Sequence, residues 1–342
     1  MPLGSGRVDL VGFTRALVDI DSTTGREGAA ASFLSRYLRE LDFTVVEQRV
    51  DEHRFNVFAT CGADPQVVYS THFDCVPPFF PSRVANNRIY GRGSCDAKGI
   101  LAAQVAAAER LRSEGETRVG LLFVVGEERG SEGAKRANVD AAAGSCRFLI
   151  NGEPTDRRLG LATRGLFRVV LRASGRAAHS SYPELGESAI DKLIDVLMEL
   201  RRIQWPSDDL LGRTHYTVGL ISGGVAPNVV PPAAQAELTF RTVSSAARIM
   251  ELLGPFEPRV ALEPVFEVPP VRMTAVDGFD SAVFPYTTDV PFLDAWGEPL
   301  LIGPGSIHVA HTSDEFIDIA EQREAVDDYV TLARELLAGL HA

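Results

Sequence analysis

Apolar residues recur along this chain in two rhythms, and the switches between them mark out its elements. Ala30, Leu34, Tyr37 or Leu38, and Leu41 return at helical spacing. Thr24-Gly-Arg-Glu27 just ahead of them matches a capping box and predicts the start of that helix. Short β-rich runs follow at 44–50, 55–59 and 67–70. Residues 98–112, KGILAAQVAAAERLR, predict an alanine-rich helix with Leu101, Val105 and Ala108 on one face and Gly115 as its stop. Unbroken apolar runs at 119–125 and 147–150 predict buried strands. Buried strands alternating with helices imply an α/β fold: a mainly parallel sheet with helices on both faces.

The order then changes. Strand-like runs at 166–173, 216–221, 236–242 and 260–268 enclose helical patterns at 188–203 and 245–253. That succession, β-α-β-β-α-β, is the signature of a ferredoxin-like α+β sandwich. It reads as an insertion, because Val326, Val330, Ala333, Leu337 and Leu340 then mark a helix expected to pack back on the first domain. The expected organisation is residues 1–164 and 273–342 as one domain, with 165–272 inserted.

Bulk properties narrow the function. The 342 residues suit two domains. A formal net charge of -12, with no basic stripe to offset it, argues against nucleic acid or an anionic membrane as partner. The opening stretch MPLGSGRVDLVGFTRALVDI has no basic segment leading into an apolar run, so no secretory leader is read there. No run approaches the roughly 20 apolar residues that span a bilayer. Cys61, Cys75, Cys95 and Cys146 lack paired spacing and read as reduced thiols. A cytoplasmic protein is expected.

The chemistry gathers where strands end. In open parallel sheets, ligands collect at the carboxyl ends of the strands. VVYSTHFD puts His72 and Asp74 just past a strand, and VVGEE does the same for Glu127 and Glu128. FLINGEPT places Glu153, and YGRGSCDAKG places Asp96 in a glycine-rich loop before a helix, where it could also serve as an N-cap. SIHVAHTSDE offers His308 and His311, three apart. Adjacent glutamates repel unless something positive holds them. Two histidines and three acids, one of them shared, suit two zinc-like ions better than one. Solvent bridging such ions loses a proton near neutral pH. One glutamate of the pair is then left over as a general base. Cys75 and Cys95 adjoin proposed site residues and read as small packing residues. GRGSCDAKG as a phosphate loop is rejected, since it lacks the GKS/T ending and Asp96 would repel phosphate.

In order, HFDCVPP, GRGSCDAKG, GEERGSEG, NGEPT and AHTSDE resemble the motif set of the zinc-dependent aminoacylase, carboxypeptidase G and acetylornithine deacetylase family, over nearly the whole chain. The resemblance implies a zinc-peptidase-like catalytic domain and an inserted lid or dimerisation domain. It implies two divalent ions, zinc first and cobalt or manganese as alternatives. His72 and Glu153 would hold one ion, Glu128 and His311 the other, and Asp96 would bridge them. The AHTSDE context favours His311 over His308. Asp74 would orient His72 through its other ring nitrogen. A cis peptide at Asp96-Ala97 is implied as well.

The resemblance also implies that Glu127 is the general base acting on a metal-bridging water. His179, in RAAHSSYPELGESAI, would donate to the oxyanion, often across a dimer interface. Asn228 and Arg241 would bind substrate, Arg241 as a bidentate anchor for a carboxylate. The loop containing Gly305 would add backbone donors. The expected activity is deacylation of a small N-acyl amino acid by a homodimer, of the acetylornithine type. Succinyl-diaminopimelate desuccinylation, carboxypeptidase or dipeptidase cleavage, and release of an amino acid from a carrier protein are alternatives. A module that binds metal or amino acid without catalysis is a reading of another class, against which the intact Glu127 argues.

Overall fold

A computed structural model describes residues 8–62 and 64–340. Residues 1–7, at the head of the stretch read above for a leader, lie outside the described residues. The chain divides into two compact units. The first comprises Met1–Leu161, Met273–Ala282 and Thr288–Ala342, and the second Ala162–Arg272 and Val283–Thr287. Among the described residues no helix is long and apolar enough to cross a membrane.

The first unit is built on a six-stranded sheet. Its strands run in the order Thr44–Arg49, Phe55–Thr60, Val119–Val124, Val67–His72, Phe148–Asn151, Glu298–Leu301. The last four are mutually parallel. The first two pair antiparallel with each other, and the second also runs antiparallel to Val119–Val124. The sheet is therefore mixed. The short link between the first two strands allows only a hairpin-like return, whereas parallel pairs need long crossovers. Val67–His72 and Val119–Val124 are buried at every position, which is why they lack polar alternation. Helix Lys98–Ser113 is covered along most of its length, and Ile319–Gly339 packs against it.

Helix Gly28–Glu40 begins later than the capping box predicts. Its N-cap is Glu27, without a side-chain capping bond, and the Glu27 carboxylate accepts the Gly25 N–H at 2.7 Å. Thr24 is engaged elsewhere: its hydroxyl donates to Asp74 Oδ2 at 2.8 Å.

The second unit carries a four-stranded antiparallel sheet in the order His215–Gly223, Ala233–Thr242, Gly165–Ser174, Ala261–Val268. Two helices, Ala189–Leu200 and Ala246–Leu253, complete the ferredoxin-like arrangement. Each opens on a serine cap, Ser188 accepting from the Asp191 N–H at 3.1 Å and Ser245 from the Arg248 N–H at 3.3 Å. Alternate residues of the strands, among them Val169, Leu171, Ala236 and Leu238, pack with Leu193, Val196, Ile249 and Leu253 as a separate core.

Candidate metal centre

Three adjacent parallel strands end at one place. His72 is the last residue of Val67–His72, with Asp74 two beyond it. Glu127 and Glu128 follow Val119–Val124, and Glu153 follows Phe148–Asn151. Asp96 arrives from the loop before helix Lys98–Ser113. It is not the helix cap, since that position belongs to Ala97 and carries no side-chain bond. The Asp96–Ala97 peptide is cis.

Two groups of donor atoms result, His72–Asp96–Glu153 and Asp96–Glu128–His311, each with its atoms within 4.8 Å of one another. Asp96 belongs to both. Its Oδ1 lies 3.0 Å from His72 Nε2 and its Oδ2 lies 3.3 Å from His311 Nε2. His311 Nε2 is also 2.9 Å from Glu128 Oε1. One carboxylate thus presents one oxygen to each histidine. Glu153 Oε1 is buried without a hydrogen-bond partner, which a cation would supply. Two imidazoles and three carboxylates form a donor set that fits a pair of divalent ions. His308 is exposed and belongs to neither group. The described cysteines are free thiols outside both groups, and burial pushes Cys75 up to about 11.

Electrostatics mark the same place. Burial raises Glu127 and Glu153 well above the usual carboxylate range, and raises Glu128. Burial also opposes charge on Asp96, but His311 and His72 outweigh it and hold the carboxyl low. His311, bonded to Asp96 and Glu128, is raised to about 10. Burial would lower His72, yet Asp74 and Asp96 raise it well above its ordinary value.

Asp74 holds more than a histidine. His72 Nδ1 lies 3.1 Å from the Asp74 carbonyl oxygen and 3.4 Å from its Oδ1. The same carboxylate accepts the backbone N–H of Glu127 at 3.1 Å and of Glu128 at 3.2 Å. With Thr24 it therefore fixes the paired glutamates by their main chain. Thr24 was legible only as a helix cap. Asp289 gave no sequence signal at all. It is buried, and burial raises it to about 7 although Ser131 close by lowers it.

In the loop expected to supply backbone donors, the Gly305 N–H donates to Glu321 at 2.8 Å and the Gly303 N–H donates to Thr155 at 3.0 Å, so both of these amides are engaged within the fold. Gly305 is glycine for a packing reason: φ is +86°, and a Cβ there would lie 2.6 Å from Cys95 Sγ.

Within the second unit, His179 and Asn228 are exposed on adjoining segments, bridged at His179 and Val229. The Ser181 N–H donates to His179 Nδ1 at 3.1 Å. The neutral ring then carries its hydrogen on Nε2, where it can be donated. Arg241 lies opposite His215 on the neighbouring strand. Its guanidinium is partly buried, has no ion-pair partner among the described residues, and is lowered by desolvation.

Comparison with known proteins bears on the same residues. The family model for peptidase family M20/M25/M40 matches residues 68–335. A protein of Aspergillus terreus named "Probable carboxypeptidase" is 39% identical, over 93% of this chain and 84% of its own. The crystal structure of aminopeptidase PepT from Bacillus cereus superposes with a TM-score of 0.80 at 19% identity, covering 96% of this chain and 98% of that one. The YXEP protein of Bacillus subtilis, described as a dinuclear metal binding peptidase, gives 0.73 at 15% identity, covering 96% and 97%.

Proposed function

The chain belongs to peptidase family M20/M25/M40 and is a hydrolase of amide or peptide bonds, and from that premise we propose a two-metal hydrolase for substrates that end in a free α-carboxylate. The observation that carries the metal half is Asp96, with one oxygen towards His72 and the other towards His311. His72 and Glu153 would hold one ion, and Glu128 and His311 the other. Zinc suits this nitrogen and oxygen set, and cobalt or manganese are the substitutes to try. Bound there, the ions would polarise the scissile carbonyl and make solvent acidic.

Glu127 takes the proton of the attacking water and returns it to the leaving amine. Asp74 fixes its main chain next to that of the ligand Glu128, which places the carboxylate beside the ions. His179 would donate from Nε2 to the developing oxyanion; it and Arg241 stand at opposite ends of strand Ala233–Thr242, so the two would come from different copies of the chain. Arg241, a guanidinium with no ion-pair partner among the described residues, pairs with the substrate's carboxylate, and Asn228, on the segment bridged to His179, is a further substrate contact. The carboxypeptidase named among the relatives supports a peptide C-terminus as that end. An N-acetyl amino acid offers the same acyl-NH-CHR-carboxylate frame, and GEPT around Glu153 keeps the deacetylase reading open.

The homodimer reading rests on the second unit. Its edge strand His215–Gly223 exposes Leu220 and Ile221, and helix Ala189–Leu200 exposes Ile194 and Met198. A second copy of this chain would cover that edge by strand pairing, giving a homodimer. Mass in solution by light scattering checks it.

The activity test is a panel of N-acetyl amino acids, N-succinyl-diaminopimelate and dipeptides, each beside its C-terminal amide, with zinc-loaded protein. Hydrolysis of free-carboxylate substrates but not amides supports the reading. Equal turnover of the amides, or retained preference in Arg241→Met, overturns the carboxylate anchor.

A further inference from the structure

Two buried side chains with no part in the chemistry above grip the strip of backbone that carries Asp96. Glu315 is fully enclosed and Arg92 nearly so. Glu315 Oε1 accepts the backbone N–H groups of Cys95 and Asp96, each at 3.1 Å. Its Oε2 accepts from Arg92 Nη1 at 2.6 Å. Arg92 is anchored in turn: Nε donates to the Pro78 carbonyl at 3.2 Å, and the guanidinium lies 5.0 Å from the centre of the Phe80 ring. The Glu315 carbonyl accepts the Gly91 N–H at 3.1 Å, so the same residue is tied to the loop by main chain as well.

The consequence is geometric. A bridging carboxylate must aim two oxygens at once, and the Asp96 side chain can do so only if its own backbone is fixed. A carboxylate on consecutive amides is a charge-assisted grip, stronger than one between neutral groups. Glu315 also lies four residues after His311, on the segment that delivers the second histidine. Any slip of that segment would move the histidine and the bridging acid together.

We propose that Glu315, held by Arg92, is a positioning residue that sets the Asp96 carboxylate between the two ions and locks it to the His311 segment. This rests on the two-ion reading above. The test measures zinc affinity by chelator competition, together with the cobalt-substituted spectrum, in wild type, Glu315→Gln and the double variant Arg92→Met/Glu315→Gln. The double variant removes both charges, so no buried guanidinium is left alone if the single variant folds poorly.

Both ions should weaken together, by about 10- to 100-fold, as expected when a residue supporting a ligand is lost. Magnetic coupling between the cobalt ions, carried by the shared carboxylate, should fall with them. The double variant should regain thermal stability without regaining affinity or coupling. Wild-type affinity and coupling in either folded variant would overturn the proposal, as would affinity that recovers in step with melting temperature. Wild type that binds no pair of ions would instead overturn the two-ion reading.

Discussion

Replacing Asp74 by asparagine keeps the shape of the side chain and removes half of its accepting capacity. In the native site Oδ1 receives the Glu127 amide at 3.1 Å, and Oδ2 receives the Glu128 amide at 3.2 Å and the Thr24 hydroxyl at 2.8 Å. Whichever way the amide turns, an NH2 group faces one of those backbone N–H donors. Leaving one buried donor without an acceptor costs about 1–3 kcal/mol. The surviving bonds also lose their charge assistance, which roughly halves them. Together these predict a loss of about 2–4 kcal/mol.

The sign with pH can be worked out. Burial opposes ionisation of Asp74, but His72, Thr24 and the Glu128 amide outweigh it and hold the carboxyl below its usual value of 3.8. Its contribution is therefore present above that value and lost as pH falls through the lower, folded one. Urea titrations of chelator-treated protein at pH 7.5 measure the first effect, and a series stepped down from pH 4 measures its shrinkage. Chelator competition measures the second, a loss of zinc affinity of about 10- to 100-fold through the freed His72 and Glu128. Stability within 0.5 kcal/mol of wild type at pH 7.5, an order-of-magnitude threshold, with unchanged zinc affinity, would refute the clamp.

Glu127→Gln should lower turnover by about 10²- to 10⁴-fold while both ions stay bound, measured by steady-state rates beside metal analysis. Loss of metal in step with activity would make Glu127 a ligand instead. Metal uptake should release protons, because His311, raised to about 10, and His72, also raised, must both bind as neutral imidazoles. Apparent affinity then climbs by about tenfold per pH unit for each proton displaced, from pH 6 to 8, and calorimetry in buffers of different ionisation heat counts the protons. Asp289, raised to about 7, stays protonated in the fold where the unfolded chain has already ionised, so it weakens the wild type as pH rises from 4 to 7. In chelator-treated protein, the advantage of Asp289→Asn over wild type should grow between pH 5 and pH 8 by at most about 3 kcal/mol, read from denaturant midpoints.

What could be read in advance was whatever the chain states locally. Runs such as LLFVV and VVYS announce buried strands through their own composition, and the acids and histidines just past them stand where parallel sheets gather ligands. The antiparallel pairing of Thr44–Arg49 with Phe55–Thr60 escaped, because both runs looked like further members of a parallel array. The parallel strand Glu298–Leu301 escaped because it is only four residues long and follows no periodic segment. Thr24 was misassigned for a subtler reason. Its spacing to Glu27 satisfies a helix cap, yet the stronger demand comes from Asp74, fifty residues away.

The same distance hides the difference between acids that hold metal and acids that hold chain. Arg92 and Glu315 are 223 residues apart and meet only when the fold closes. Apart from the family resemblance, which gave Asp74 a supporting role, nothing in the sequence around Asp74 and Glu315 sets them apart from Glu128 and Glu153. What separates them is the direction in which backbone amides point. Asp74 receives those of Glu127 and Glu128, and Glu315 those of Cys95 and Asp96, whereas Glu153 keeps a buried oxygen with no donor. An acid supplied with amides has its charge answered by the main chain and can serve as a brace. An acid left without them must be protonated or meet a cation. Main-chain donors are the same at every residue but proline, so sorting carboxylates by that criterion needs the folded chain.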